Sequence, residues 1–200
     1  MKNLALCTLA LLASIGCAPV DDAADTAAAP ATSTTSTTPP TTAPTCRGFT
    51  ATIVGTNGND FISGTAGPDV IVGLGGDDII LGFDGADIIC GGDGNDTIRA
   101  GASYDRVWGD GGNDTINGED DNDYIDGDGG DDVIFGGRGN DGLVGGTGRD
   151  RVYGDDGDDN LTGNDDDDML DGRLGVDACD GGNHVAGDTA VNCETVTNVP

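Results

Sequence analysis

The chain has a single histidine, His184, and eight lysines and arginines against 37 aspartates and glutamates, for a formal net charge of −29. One histidine close to the C-terminus cannot serve several active sites, because a nucleophile needs a base beside it and a catalytic metal needs ligands. The sequence contains no HExxH, no G-x-S-x-G and no Walker loop. The signatures of a zinc protease, an α/β-hydrolase and a phosphate-cradling loop are therefore missing. The excess of negative charge repels phosphate and excludes nucleic acid as a partner. No CxxC spacing occurs among the six cysteines, which argues against a cysteine-rich zinc site. The apolar run from Leu4 to Ile15 is too short to span a bilayer as a mature helix. An enzyme is not expected.

What is present is a period. An aspartate recurs every ninth residue, at Asp60, Asp69, Asp78, Asp87, Asp96, Asp105, Asp114, Asp123, Asp132, Asp141, Asp150, Asp159, Asp168 and Asp177. Two positions after each stands one apolar residue, from Ile62, Ile71 and Ile80 through Leu143 and Val152 to Leu170 and finally Cys179. Five positions before each stands glycine, Ala100 excepted. A fixed period of this kind marks a stack of identical structural units. In each unit the glycine-rich first part reads as a turn, and the last three residues, such as Phe61-Ile62-Ser63, as a short strand with one side chain inward. A lone triplet buries too little to fold, whereas stacked triplets bury a continuous file.

The copies read GTNGNDFIS, GTAGPDVIV, GLGGDDIIL, GFDGADIIC, GGDGNDTIR and onward to GRLGVDACD. They resemble the RTX nonapeptide, G-G-x-G-x-D-x-U-x, over Gly55 to Asp180. The resemblance implies an all-β, right-handed parallel β-roll (a β-solenoid) of about seven coils, two nonapeptides to a coil, with short caps. It also implies Ca²⁺ held between carboxylates of successive turns on one edge, so that Asp60 pairs with Asp78, and Asp69 with Asp87. All fourteen aspartates would be metal ligands, for about twelve ions at most. The repeat block holds 32 acidic residues and six arginines. Divalent ions in that number would nearly neutralise it, and without them it should stay expanded.

Three copies depart from the pattern. Asp121 and Asp166 replace the fourth-position glycine, and aspartate tolerates left-handed backbone well enough to keep the turn. The unit AGASYDRVW lacks both key glycines and is expected to be the poorest calcium site. The column after the first glycine reads Thr56, Thr65, Leu74, Phe83, Gly92 and Gly101, which is not the regular threonine array that ice binding requires.

The ends read differently. Residues 1–16 form a signal peptide, and Ala13-Ser14-Ile15-Gly16-Cys17 resembles a bacterial lipobox, which implies lipidation of Cys17. Residues 17–45 are a Thr/Pro/Ala linker, 46–54 a metal-free N-terminal cap and 181–200 a C-terminal cap. The expected place is the outside of a bacterial cell, with any membrane contact made through the lipid. Four cysteines remain, and an exported chain should oxidise them. Three pairings exist, of which Cys46–Cys90 and Cys179–Cys193 are favoured. Residues flanking the inward file in the first coils are themselves apolar: Val70, Val72, Ile79, Leu81, Ile88 and Cys90. They mark a surface for a protein partner or a second copy. The functional expectation is a surface-tethered calcium-binding module, with a calcium-triggered adhesion or secretion device as the alternative.

Overall fold

The computed structural model describes residues 43–182 and 187–199. The signal peptide, Cys17, the linker as far as residue 42 and His184 lie outside the described residues. Each repeat triplet forms a strand, and no helix occurs among the described residues. Strands pair in parallel with those eighteen residues away. Ile62 stands opposite Ile80, Ile80 opposite Ile98, and the file continues through Ile116, Ile134 and Val152 to Leu170. Alternate repeats therefore build two sheets. One has eight strands, from Phe61–Ser63 to Thr189–Val191, and the other nine, from Ile53–Val54 to Thr195–Thr197. The fold is a right-handed parallel β-roll of about eight turns.

The core is the inward file from the two sheets meeting in the middle. Fifteen residues form it, the fourteen after the repeat aspartates together with Ala100, and none is more than 2% exposed. Burying one such Ile or Leu contributes roughly 1.5–3 kcal/mol. A coil supplies only two of them, so stability has to come from neighbouring coils.

The strands are longer than three residues. Eleven of them run for six, such as Val70–Gly75 and Ile79–Asp84, and continue into the first three positions of the next nonapeptide. The turn shrinks to three residues, Gly76-Asp77-Asp78 in one coil. The physical reason lies at the second position. Leu74, Phe83, Glu119 and Arg173 all have φ between 66° and 83°, so the chain bends there while the ladder goes on. Leu74 still pairs with Gly92, and Gly75 with Asp93. Left-handed backbone costs a non-glycine residue about 1–2 kcal/mol. Phe83 is half exposed, with little packing to offset that cost. Phe83→Gly is expected to raise the stability of the calcium-loaded roll by about 1 kcal/mol, read as a higher denaturation midpoint.

The flanks join the roll, which is why it has about eight turns and not seven. Ile53–Val54 pairs with Ile71–Val72 at one end. At the other, Thr189–Val191 lies on Met169–Asp171, and Thr195–Thr197 on Ala178–Asp180. The C-terminal segment thus continues the coil despite its broken sequence period. Disulfides join Cys46 to Cys90 and Cys179 to Cys193.

The apolar outer face of the first coils is partly covered by the chain itself. Thr45–Cys46 and Phe49–Thr50 form an antiparallel hairpin. Cys46, Val72 and Cys90 are buried in one cluster, with Val70, Leu74, Ile88 and Trp108 packed against it. Arg47 lies over the Trp108 ring, 5.2 Å from its centre, and forms ion pairs with Asp110 and Asp128. On this sheet the surface read as open to a partner is therefore already occupied. Across the roll, Phe61, Ile79 and Phe83 remain exposed.

Candidate metal centre

Each repeat aspartate ends its turn and directly precedes its strand, so the stacking that aligns the apolar file also aligns the carboxylates. The backbone N–H of each donates to Oδ1 of the aspartate eighteen residues on: Asp60 to Asp78 at 2.8 Å, Asp78 to Asp96 at 2.8 Å, and Asp69 to Asp87 at 2.8 Å. Two ladders result, one per edge, ending at Asp168 and Asp177. From Asp78 to Asp177 no member is more than 3% exposed.

The other oxygen is the informative one. Oδ2 of every repeat aspartate from Asp78 to Asp177 is buried and has no hydrogen-bond partner. Burying so many carboxylate oxygens without a protein partner is costly. Each Oδ2 rests against the first glycine of its own repeat. A Cβ on Gly73 would come within 2.6 Å of Asp78 Oδ2 and 2.1 Å of the Gly91 carbonyl oxygen, so the carboxylate and the next coil together demand glycine. The Ala100 unit departs from that rule without losing the geometry. Ala100 is wholly buried in the apolar file, and Asp105 keeps both ladder bonds, at 2.8 and 2.9 Å. Ser103, Asp121 and Asp166 take φ of 87°, 76° and 77° in place of the fourth glycine.

In the metal-free chain, burial pushes these carboxyls well above their ordinary range. Asp78, Asp87 and Asp96 rise to about 6, Asp105 and Asp114 to about 7, and Asp123 and Asp132 to about 8. Desolvation is the largest cause, the ladder N–H opposes it, and neighbouring carboxylates add to it. A cation between the turns would remove the penalty.

The donor set indicates which cation. Among the described residues no three His, Cys, Asp or Glu side chains converge on one point. An ion between two coils would have at most two such side chains and would need backbone oxygens to complete its shell. Such an oxygen-only set suits Ca²⁺, which accepts six to eight oxygens in a forgiving geometry, and does not suit zinc.

Sequence reasoning missed two features of the site. The first is a second ladder one position earlier. Asp77, Asn95, Asn113 and Asp131 donate their N–H to Oδ1 of Asn59, Asp77, Asn95 and Asn113, eighteen residues back. It runs opposite to the aspartate ladder and ties the same turns together. Asn140 and Asp158 repeat it on the other edge, donating to Oδ1 of Asn122 and Asn140, so its sequence signal is an Asn/Asp column that Pro68, Ala86 and Tyr104 interrupt in the early repeats. The second is that the carboxylate columns continue past the repeats. Asp168 donates to Asp188 Oδ1 at 2.9 Å, and Asp177 to Glu194 Oε2 at 2.6 Å.

A parallel roll with a buried, half-satisfied carboxylate at each turn from Asp78 to Asp177 fits the class of calcium-binding repeat solenoids. The family model of the RTX calcium-binding nonapeptide repeat matches residues 54–89, 63–98, 91–125, 108–143 and 144–179, an unbroken run from 54 to 179. The chain belongs to this family. No curated protein matches it.

Proposed function

We propose that this is an exported calcium-binding module, not an enzyme, whose roll folds as Ca²⁺ fills the gaps between successive turns on both edges. The observation that carries the reading is the file of buried Oδ2 atoms lacking any partner. The repeat aspartates from Asp78 to Asp177 would line the gaps, and turn carbonyls would complete each shell. Export by the N-terminal signal, lipid on Cys17 and a stalk ending near residue 45 would hold the roll off a bacterial surface. The two disulfides support an oxidising location. A protein partner at the N-terminal coils would have to use the Phe61, Ile79 and Phe83 side, since the hairpin covers the other.

Asp96 tests the proposal because it adjoins two gaps on its own edge, towards Asp78 and towards Asp114. Asp96→Ala is expected to lower the calorimetric count of bound calcium by about two and to leave the opposite edge filled. An unchanged count would show that the carboxylate column is not the binding site.

A further inference from the structure

The calcium ladder and the sequence motif do not coincide at their ends. At the start, the free oxygens of the first two carboxylates are already taken. Asp60 Oδ2 accepts from the Thr56 N–H at 2.6 Å and the Thr56 hydroxyl at 2.8 Å. Asp69 Oδ2 accepts from the Thr65 N–H at 2.8 Å and the Thr65 hydroxyl at 2.9 Å, while its Oδ1 accepts from the Thr52 hydroxyl at 3.2 Å. These two repeats also differ in the backbone. Neither Thr56 and Gly58 nor Thr65 and Gly67 has the positive φ that later repeats show at the second and fourth positions. The threonine supplies the donors that a cation would otherwise replace.

At the far end the reverse holds. Asp188 lies beyond the last nonapeptide, yet it is 4% exposed and its Oδ2 is buried with no partner. A Cβ on Gly181 would meet that Oδ2 at 2.6 Å, just as one on Gly172 would meet Asp177 Oδ2 at 2.4 Å. The carboxylate–glycine arrangement of the repeats is thus rebuilt here with a spacing of seven residues where the motif has five. Asp168 in the preceding coil is 2% exposed, and its Oδ2 is also bare.

We infer that the array of two-carboxylate calcium sites is displaced by one coil from the motif: Asp60 and Asp69 are closed by threonine, and Asp168 with Asp188 forms an additional calcium site outside the repeats. Gaps flanked by bare carboxylate oxygens on both sides then number six on the edge from Asp78 to Asp188 and five on the edge from Asp87 to Asp177. This rests on the calcium reading above. Its test separates the two. Native mass spectrometry of the full chain at saturating calcium counts bound ions in the wild type, in the Asp60→Asn/Asp69→Asn double variant and in Asp188→Asn. The double variant is expected to keep the wild-type count and Asp188→Asn to lose one ion. A wild type that binds no calcium would overturn the calcium reading itself. Loss of two ions in the double variant, or none in Asp188→Asn, would overturn only the displacement. Asparagine keeps the Oδ1 that accepts from Asp168, but if Asp188→Asn does not fold, calcium anomalous density in crystals of the wild type decides. A peak between Asp168 and Asp188 supports the site, and its absence beside peaks at the inner gaps refutes it.

Discussion

Chelation with EDTA at neutral pH is expected to convert the chain from a β-rich circular dichroism spectrum to a disordered one, and millimolar Ca²⁺ to restore it. The block from Gly55 to Asp180 carries a net charge of −26. In the folded roll its carboxylates are stacked in two columns, each next to the one before. Apolar burial of one residue per nonapeptide is too thin to hold those columns together against their mutual repulsion. About eleven or twelve divalent ions would cancel most of the charge and supply the partners that the bare Oδ2 atoms lack. Folding and binding are then one reaction, as in other small metal-dependent domains. Magnesium should substitute poorly, because it demands a tighter octahedron. A β-rich spectrum that EDTA leaves unchanged would refute this coupling.

Acid is expected to do part of the work of calcium. Burial pushes the carboxyls of the repeat aspartates from Asp78 to Asp168 up to about 6 to 8 in the folded, metal-free chain, whereas an unfolded aspartate titrates near its ordinary value of 3.8. A carboxyl raised on folding binds its proton more tightly in the folded state. Its contribution to stability is therefore fully present below the ordinary value and is lost as pH climbs through 6 to 8. In EDTA the chain should gain β-structure as pH falls from 8 towards 4. With calcium the sign reverses, because each ion must displace protons. The calcium midpoint for folding should rise on the order of tenfold from pH 8 to pH 6. A metal-free chain that stays disordered at pH 4, or a midpoint indifferent to pH, would show that these carboxyls are not buried as described.

Sequence alone determined the repeat unit, the inward file and the carboxylate column, because all three depend only on position within nine residues. It also determined the two-edge partition, since a coil of two nonapeptides follows once the family is recognised. The left-handed turns at Asp121 and Asp166 were legible for the same local reason. Tertiary structure decided what depends on contacts across eighteen residues or more. The strands proved longer than their apolar triplets because backbone pairing continues around the corner at the left-handed second position, where glycine suggested only a turn. The hairpin's cover over Val72 and Cys90 joins segments far apart in the chain, and no period announces it. Asp188 escaped for a sharper reason: an insertion breaks the sequence period ahead of it, but the chain returns to the ladder because Asp168 N–H still needs an acceptor there. The period is a property of the chain, whereas a metal site requires only that two carboxylates meet in space.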